Sequence, residues 1–369
     1  MTEDGKVAIA RALARAGVRT ADVGFPASSP AEVAVARRIV REVPEIVPTA
    51  LCRAVSGDID AAAEAFAEAD PHRCAVTIFV ATSPVHREAK LRMDVPRLLA
   101  VVAEAVAYAR RTFAHVAFSP EDASRTEPEV LCRVLDAAIA AGASVVAWTD
   151  TVGVATPEST REAIGAIRAG TERIDEAALA AHCHDDLGLA VANTLAAAQE
   201  GADVLQCTVN GLGERAGNAA LEEVVMALWM HPARYGRALA VDPARLTGLS
   251  RLVAEVSGVP LPPHKAVTGP NVFATEAGVH QDGLLKDPAT YLPFPPETVG
   301  AEGVRLVLGP TSGSAAVAAR LAELGVPDVD DVLARRVLEA AKRAPLSSWD
   351  DPDPLLLDLA AAERQGVTT

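Results

Sequence analysis

Along this chain, short runs of β-branched and apolar residues alternate with longer alanine-rich stretches whose apolar positions recur with helical period. Seven of the short runs read as strands, over Ala21–Pro26, Ile46–Arg53, Cys74–Ala81, His115–Ser119, Ser144–Asp150, Leu179–His184 and Val204–Val209, each followed by a helix. Repeated strand and helix units predict parallel strands joined by crossover helices, the α/β plan of a (β/α)8 TIM-type barrel. In that plan the chemistry lies where strands end and the following loops begin. The polar clusters fall at those places: Ser-Pro-Glu-Asp from Ser119, Thr-Asp-Thr from Thr149, His-Cys-His-Asp-Asp from His182 and Thr-Val-Asn-Gly from Thr208.

Eight strands close such a barrel, yet the pattern opens on a helix over Glu3–Ala16, with Gly17 after it as the stop signal. The first strand is therefore expected to be missing from this pattern, which would leave two unpaired sheet edges. Beyond a helix at Asn218–Met230, proline-rich turns bracket a helix at Pro243–Ser257, and the remainder reads as mostly helical, with helices at Ser314–Leu324 and Val329–Lys342 and an Asp/Pro-rich stretch at Trp349–Pro354. The expected division is a catalytic barrel over 1–235 and helical C-terminal subdomains over 236–369.

Composition narrows the partners. With 369 residues, half of them hydrophobic, the chain can bury a large core. A net charge of -15 opposes phosphate backbones and anionic lipid, which argues against nucleic acid and membrane surfaces. No apolar run is long enough to span a bilayer, and the opening segment lacks the pattern of a secretory signal. Five scattered cysteines, Cys52, Cys74, Cys132, Cys183 and Cys207, do not make a disulfide framework and fit a reducing cytoplasm.

His182 and His184 stand at i and i+2 on a strand, so both imidazoles share one face while Cys183 takes the other. Two imidazoles on the inner face of a barrel mouth make half a site for a divalent ion; a hydrogen-bonded core pair is the bland alternative. Asp185 and Asp186 follow directly, and the glycine-rich loop Gly-Leu-Gly-Glu-Arg-Ala-Gly-Asn brings Asn218 toward the same mouth.

The run from His182 to Leu228, HCHDDLGLAVANTLAAAQEGADVLQCTVNGLGERAGNAALEEVVMAL, closely resembles a signature of the 2-isopropylmalate synthase and homocitrate synthase family. GFPASSP, ATSPVHREAKLRM, FSPEDASRTE and TDTVGVATP resemble the strand-end motifs of the same family, and FATEAGVHQDGLLKDPATY resembles its helical covering subdomain. The resemblance implies a condensation of acetyl-CoA with a 2-oxo acid, followed by thioester hydrolysis, in a barrel that uses a divalent metal such as Mn2+, Mg2+ or Zn2+. It implies His182 and His184 as metal ligands with Asn218 at or beside them, and Ser119, Glu121 and Thr151 as residues that hold the oxo acid or orient catalytic water, with Arg125 as a further candidate for substrate binding. It further implies His280 and Tyr291 in the acid/base steps with Glu276 near them, and a homodimer. The bland alternatives are helix caps for Ser119 and Thr151, a solvated helix start for Glu121 and Asp122, and a local salt bridge for Arg125.

Three departures qualify that likeness. The family's first-strand run, Asp-Thr-Thr-Leu-Arg-Asp-Gly-Glu-Gln-like, with an acidic ligand and an arginine, has no counterpart here, so either the coding frame continues upstream of Met1 or the chain is a non-catalytic partner subunit. Thr77 stands where many isopropylmalate synthases have histidine, and LGPTSGSAA replaces an LGKHSGRHA-like segment, which opens homocitrate synthase or a secondary-metabolism relative using another 2-oxo acid as the alternative. The chain also ends without the leucine-binding regulatory domain of long isopropylmalate synthases, so feedback by leucine is not expected.

Overall fold

The computed structural model describes residues 1–236, 239–343 and 352–365. They form two compact units, Met1–Leu261 and Pro262–Thr369. Of the Asp/Pro-rich stretch read at Trp349–Pro354, the first half, 349–351, lies outside the described residues.

In the first unit, seven parallel strands pair in chain order: β1 (Thr20–Gly24), β2 (Val47–Arg53), β3 (Ala75–Ala81), β4 (His115–Glu121), β5 (Val145–Asp150), β6 (Ala178–Cys183) and β7 (Val204–Gln206). Each predicted strand is present. The result is a TIM-barrel-like sheet in which, among the described residues, β1 and β7 each pair on one side only. Helices α1 (Glu3–Arg15), α2 (Pro30–Glu42), α3 (Ser56–Ala65), α4 (Val95–Ala109), α5 (Pro128–Ala140), α6 (Pro157–Gly170), α7 (Ala190–Gln199) and α8 (Leu221–Met230) alternate with them. Local chemistry starts these helices: Ser29 caps α2, Asp94 caps α4, and Thr156 with Ser159 forms a reciprocal capping box on α6, each ahead of a proline in the first turn.

Strand alternation divides the sheet into two chemistries. Ala50 and Cys52, Val76 and Ile78, Val116 and Phe118, Val146 and Trp148, and Leu179, Ala181 and Cys183 are buried in one continuous core with the helices. The residues between them, among them Thr49, Thr77, Ser119, Thr149 and His182, point to the opposite, inner face. Alanine is frequent on the buried stripes of the helices, which lets them lie close to the strands.

After α8 come a short helix α9 (Pro232–Tyr235) and α10 (Leu246–Ser257). Leu249 and Val253 of α10 bury against Ala16 at the end of α1, so α10 belongs to the first unit. The unit boundary therefore falls after Leu261, later than the 235/236 division read from the change in sequence character. The second unit holds a two-stranded sheet, β8 (Ala274–Thr275) with β9 (Arg305–Leu306), and helices α11 (Gly278–Lys286), α12 (Ser314–Glu323), α13 (Asp331–Ala341) and α14 (Asp353–Arg364). Its own core joins Val317, Leu321, Ala334, Val337, Leu338 and Leu356. No helix among the described residues is long and apolar enough to cross a membrane.

Candidate functional site

The C-terminal ends of β4, β5, β6 and β7 gather the polar residues of the first unit. His182, in register with Thr149 on β5 and Gln206 on β7, points Nε2 at Nε2 of His184, 3.2 Å away. Cys183 is fully buried on the helix side, as the alternation requires. His184 lies one residue past the strand, where it bridges to Asn218, and the segment Gly217–Ala219 continues the pairing through Asp185 N–H to Gly217 O and Ala219 N–H to Cys183 O. The Asn218 amide reaches Nε2 of His182 at 3.0 Å. His182, His184 and Asn218 are thus brought to one point.

Gln206 Oε1 sits 3.0 Å from Nδ1 of His182 and accepts its N–H, so the lone pair of the ring is left on Nε2, facing His184 and Asn218. Burial, reinforced by His184 and opposed by Gln206, pushes the His182 pKa down to about 4. Burial and then Arg215 lower His184 as well, against Asp186, Asp150 and Glu214. Both imidazoles are neutral at pH 7, the form that binds a metal. Two nitrogens each about 2.0–2.1 Å from one zinc-sized ion in tetrahedral geometry stand about 3.3 Å apart, close to the 3.2 Å between these Nε2 atoms. A half-turn of the Asn218 amide exchanges its N–H donor for its oxygen, so the same side chain serves a free imidazole or a cation. Nδ1 of His184 is buried without a hydrogen-bond partner. Among the described residues, no group of three or more His, Cys, Asp and Glu side chains is gathered to hold a metal. The donor set is two imidazoles and an amide.

Beside it, Ser119 Oγ and Thr149 Oγ1 are 3.0 Å apart across β4 and β5. Neither Ser119 nor Thr151 caps a helix: Thr151 Oγ1 accepts the Asp122 N–H at 2.8 Å, tying the loops after β4 and β5, while α6 is capped by Thr156. Glu121 ends β4, and its carboxylate accepts from Lys90 Nζ at 2.8 and 3.1 Å with Nε2 of His86 3.4 Å away. His86 and Lys90 come from one π-helical turn, His86–Leu91. Asp122 is fully buried in a left-handed conformation, φ 63°. Burial alone would raise its pKa, but hydrogen bonds from Arg125 and Ser83 outweigh it and hold the carboxylate low. Arg125 grips Asp122 through Nε and Nη2 at 2.7–3.0 Å, the local ion pair that its i, i+3 spacing allows.

Sequence reasoning missed several of these residues. Thr149 and Gln206 lie on the inner face two residues from, or in register with, residues that were singled out, which is the signal that could have found them. His86 and Lys90 lie inside the ATSPVHREAKLRM run already singled out, but nothing in that run says that they turn to Glu121 at the end of β4. Asp22, on the inner face of β1, was also missed; partial loss of hydration pushes its pKa up to about 6, against the Gly24 N–H 3.0 Å from Oδ1, although the residue keeps a solvent-exposed surface.

The second unit brings together His280 and Tyr291, whose rings stack at 4.1 Å between centroids, 31° apart in plane. Glu276, between β8 and α11, accepts from Thr311 Oγ1 at 2.8 Å and from Thr311 N–H at 3.3 Å.

Residues 1–253 match the HMGL-like family, and residues 267–345 match the family described as homocitrate synthase post-HMGL domain-like. The chain is 45% identical over 326 residues to the 2-isopropylmalate synthase of Nitrosococcus oceani, covering 88% of this chain and 63% of that protein. It is 42% identical over 368 residues to the 2-isopropylmalate synthase of Synechocystis sp., covering 95% of this chain and 69% of that one. This chain thus spans a little under two thirds of the length of the first of these relatives and a little over two thirds of the second. In fold it is similar to the HMG-CoA lyase of Bacillus subtilis, with a TM-score of 0.59 at 22% identity, over 71% of this chain and 89% of that one. The chain belongs to the HMGL-like family, within its group of 2-isopropylmalate and homocitrate synthases.

Proposed function

We propose that this protein condenses acetyl-CoA with a 2-oxo acid in the manner of a 2-isopropylmalate synthase, an acyltransferase step of leucine biosynthesis. The observation that carries the reading is the convergence of two neutral imidazole nitrogens and the Asn218 amide at the C-terminal mouth of the sheet, in a chain this similar to 2-isopropylmalate synthases. In the reaction the acetyl methyl group loses a proton, its carbon adds to the ketone carbon of the oxo acid, and water then cleaves the thioester to release CoA.

His182, His184 and Asn218 would hold the divalent ion, Mn2+, Mg2+ or Zn2+. When bound, it supplies Lewis-acid polarisation of the oxo-acid carbonyl. Gln206 keeps the His182 lone pair on Nε2. Ser119, paired with Thr149, and Thr151, fixed by the Asp122 N–H, offer hydroxyls for the carboxylate and ketone oxygens of the oxo acid. Glu121, held by Lys90, and Arg125, held by Asp122, set the charge balance on the rim. Glu276, His280 and Tyr291 are assigned to the proton transfers, with the stacked rings keeping the imidazole and phenol together. The same reading makes the protein a cytoplasmic homodimer, which light scattering on the purified protein tests.

The match of residues 267–345 to a homocitrate synthase domain favours, as a second reading, the same chemistry on a different 2-oxo acid. Thiol release from acetyl-CoA, measured with divalent metal and a panel of branched, short and dicarboxylic 2-oxo acids, separates the two. Release with the branched acid supports the first reading, and preference for another acid supports the second. No release with any of them from folded, metal-loaded protein overturns both in favour of a non-catalytic partner subunit.

A further inference from the structure

The loop that delivers Asn218 runs from β7 to α8 through two left-handed glycines, Gly211 at φ +70° and Gly217 at φ +97°. Gly213 lies between them against the Asn218 side chain. A Cβ at position 213 would fall 1.7 Å from Oδ1 and 2.8 Å from Cγ of Asn218. No pair of non-bonded heavy atoms tolerates such distances. Gly213 is not among the glycines with positive φ, so the demand for glycine at this position comes from the space beside it and not from a left-handed backbone.

The loop has little freedom to relax away from the clash. Arg215 donates to both carboxylate oxygens of Asp186 at 2.7 Å and to the Thr151 carbonyl at 2.7 Å, and Asn218 N–H donates to Gly211 O at 2.9 Å. Asn218 is itself 7% exposed, and its amide nitrogen is 3.0 Å from Nε2 of His182. The amide is therefore bounded by His182 on one side and by the bare backbone of Gly213 on the other.

We propose that Gly213 is a positioning residue for the metal-facing nitrogen of His182: the absence of a side chain at 213 lets the Asn218 amide lie against Nε2. The contact exists without a metal, while its consequence for metal affinity rests on the proposed metal-dependent function. Two measurements keep these apart. In metal-free protein, long-range proton–nitrogen correlation of the imidazoles should show the His182 Nε2 resonance moved by Gly213→Ala and moved alike by Asn218→Ala. In a cobalt(II) titration followed by absorbance, Gly213→Ala should weaken binding about 10- to 100-fold, the effect typical of losing a partner that orients a metal ligand. On the Asn218→Ala background, Gly213→Ala should have no further effect, because the two act through one contact.

An unmoved His182 resonance in Gly213→Ala, or additive effects of the two substitutions, overturns the inference. A moved resonance in a protein whose wild type does not bind cobalt(II) supports it and instead rejects the metal reading. Should Gly213→Ala alone fail to fold, recovery of folding in the Gly213→Ala/Asn218→Ala double variant supports the steric cause, and continued failure rejects it.

Discussion

A single hydrogen bond decides what His182 can do. With Gln206 accepting from Nδ1, the ring offers its lone pair at Nε2; without that acceptor the imidazole is free to adopt the other tautomer. Gln206→Leu is expected to weaken cobalt(II) binding by about 10- to 100-fold, while His182→Ala abolishes tight binding. Equal affinity in wild type and His182→Ala would remove the metal centre from consideration. The His182/His184 pair was legible because period-two spacing on a strand places both rings on one face. Gln206 was not, because a glutamine acquires its meaning only from the histidine in register on the next strand. Asp22 is a second case set by surroundings. Its folded pKa of about 6 lies above the roughly 3.9 of an unfolded aspartate, so the folded state holds the proton more tightly and stability falls as pH rises through that window. Asp22→Asn should therefore raise the melting temperature at pH 7.5, with the gain vanishing below pH 4. Solvent reaches the side chain, which limits the size of the gain, and a variant less stable at pH 7.5 would refute this account.

At the level of elements, the joint between β2 and α3 shows how a strand end is locked to its helix. Asp58 in the first turn of α3 is buried and accepts from the Arg53 backbone N–H at 2.9 Å and from its guanidinium at 2.8 and 2.9 Å. Burial by itself would raise the carboxyl, but the Arg53 side-chain and backbone hydrogen bonds outweigh it, and the pKa is lowered. A lowered carboxylate contributes stability that is complete above its unfolded pKa and is lost as pH falls through the folded value. Asp58→Asn should be less stable than wild type at pH 7, with the difference closing below about pH 4; a gap in thermal midpoint that persists at low pH would assign the effect to packing instead. Strands and helices were legible because apolar period separates them cleanly. The loop after β4 was not. Glu121 and Asp122 also read as a solvated helix start; a 3-10 turn does begin at Ala123, but α5 begins only at Pro128, and Asp122 is buried and turns left-handed to meet Arg125, His86 and the Thr151 hydroxyl. Ser-Pro-Glu-Asp alone does not announce that turn, because two of the groups that stabilise it, His86 and Thr151, come from the ends of other strands. The π-helical turn at His86–Leu91 escapes sequence reading for the same reason.

On the scale of the whole molecule, strand order was legible because parallel strands joined by crossover helices pair in sequence. The division into units was less so, because the turns before α10 resemble a boundary while its buried stripe, Leu249 and Val253, packs on α1. Each unit has a core of its own, and this carries a consequence. Leu321 is fully buried among Val317, Val337, Leu338 and Leu356, residues contributed by α12, α13 and α14 alone. Leu321→Ala should remove about 2–5 kcal/mol from the stability of that core through lost burial and the cavity left behind. The donors His182, His184 and Asn218 lie in the first unit and draw nothing from Leu321. Amide hydrogen exchange should therefore quicken through α12, α13 and α14 in the variant, while exchange in β4 to β6 and cobalt(II) affinity stay at wild-type values. If His280 and Tyr291 serve the proton transfers proposed for them, CoA release should fall earlier on heating than in wild type, because both belong to the weakened unit. Parallel quickening of exchange in β4 to β6, or a loss of cobalt(II) affinity, would mean that the two cores unfold as one and that the metal centre depends on both.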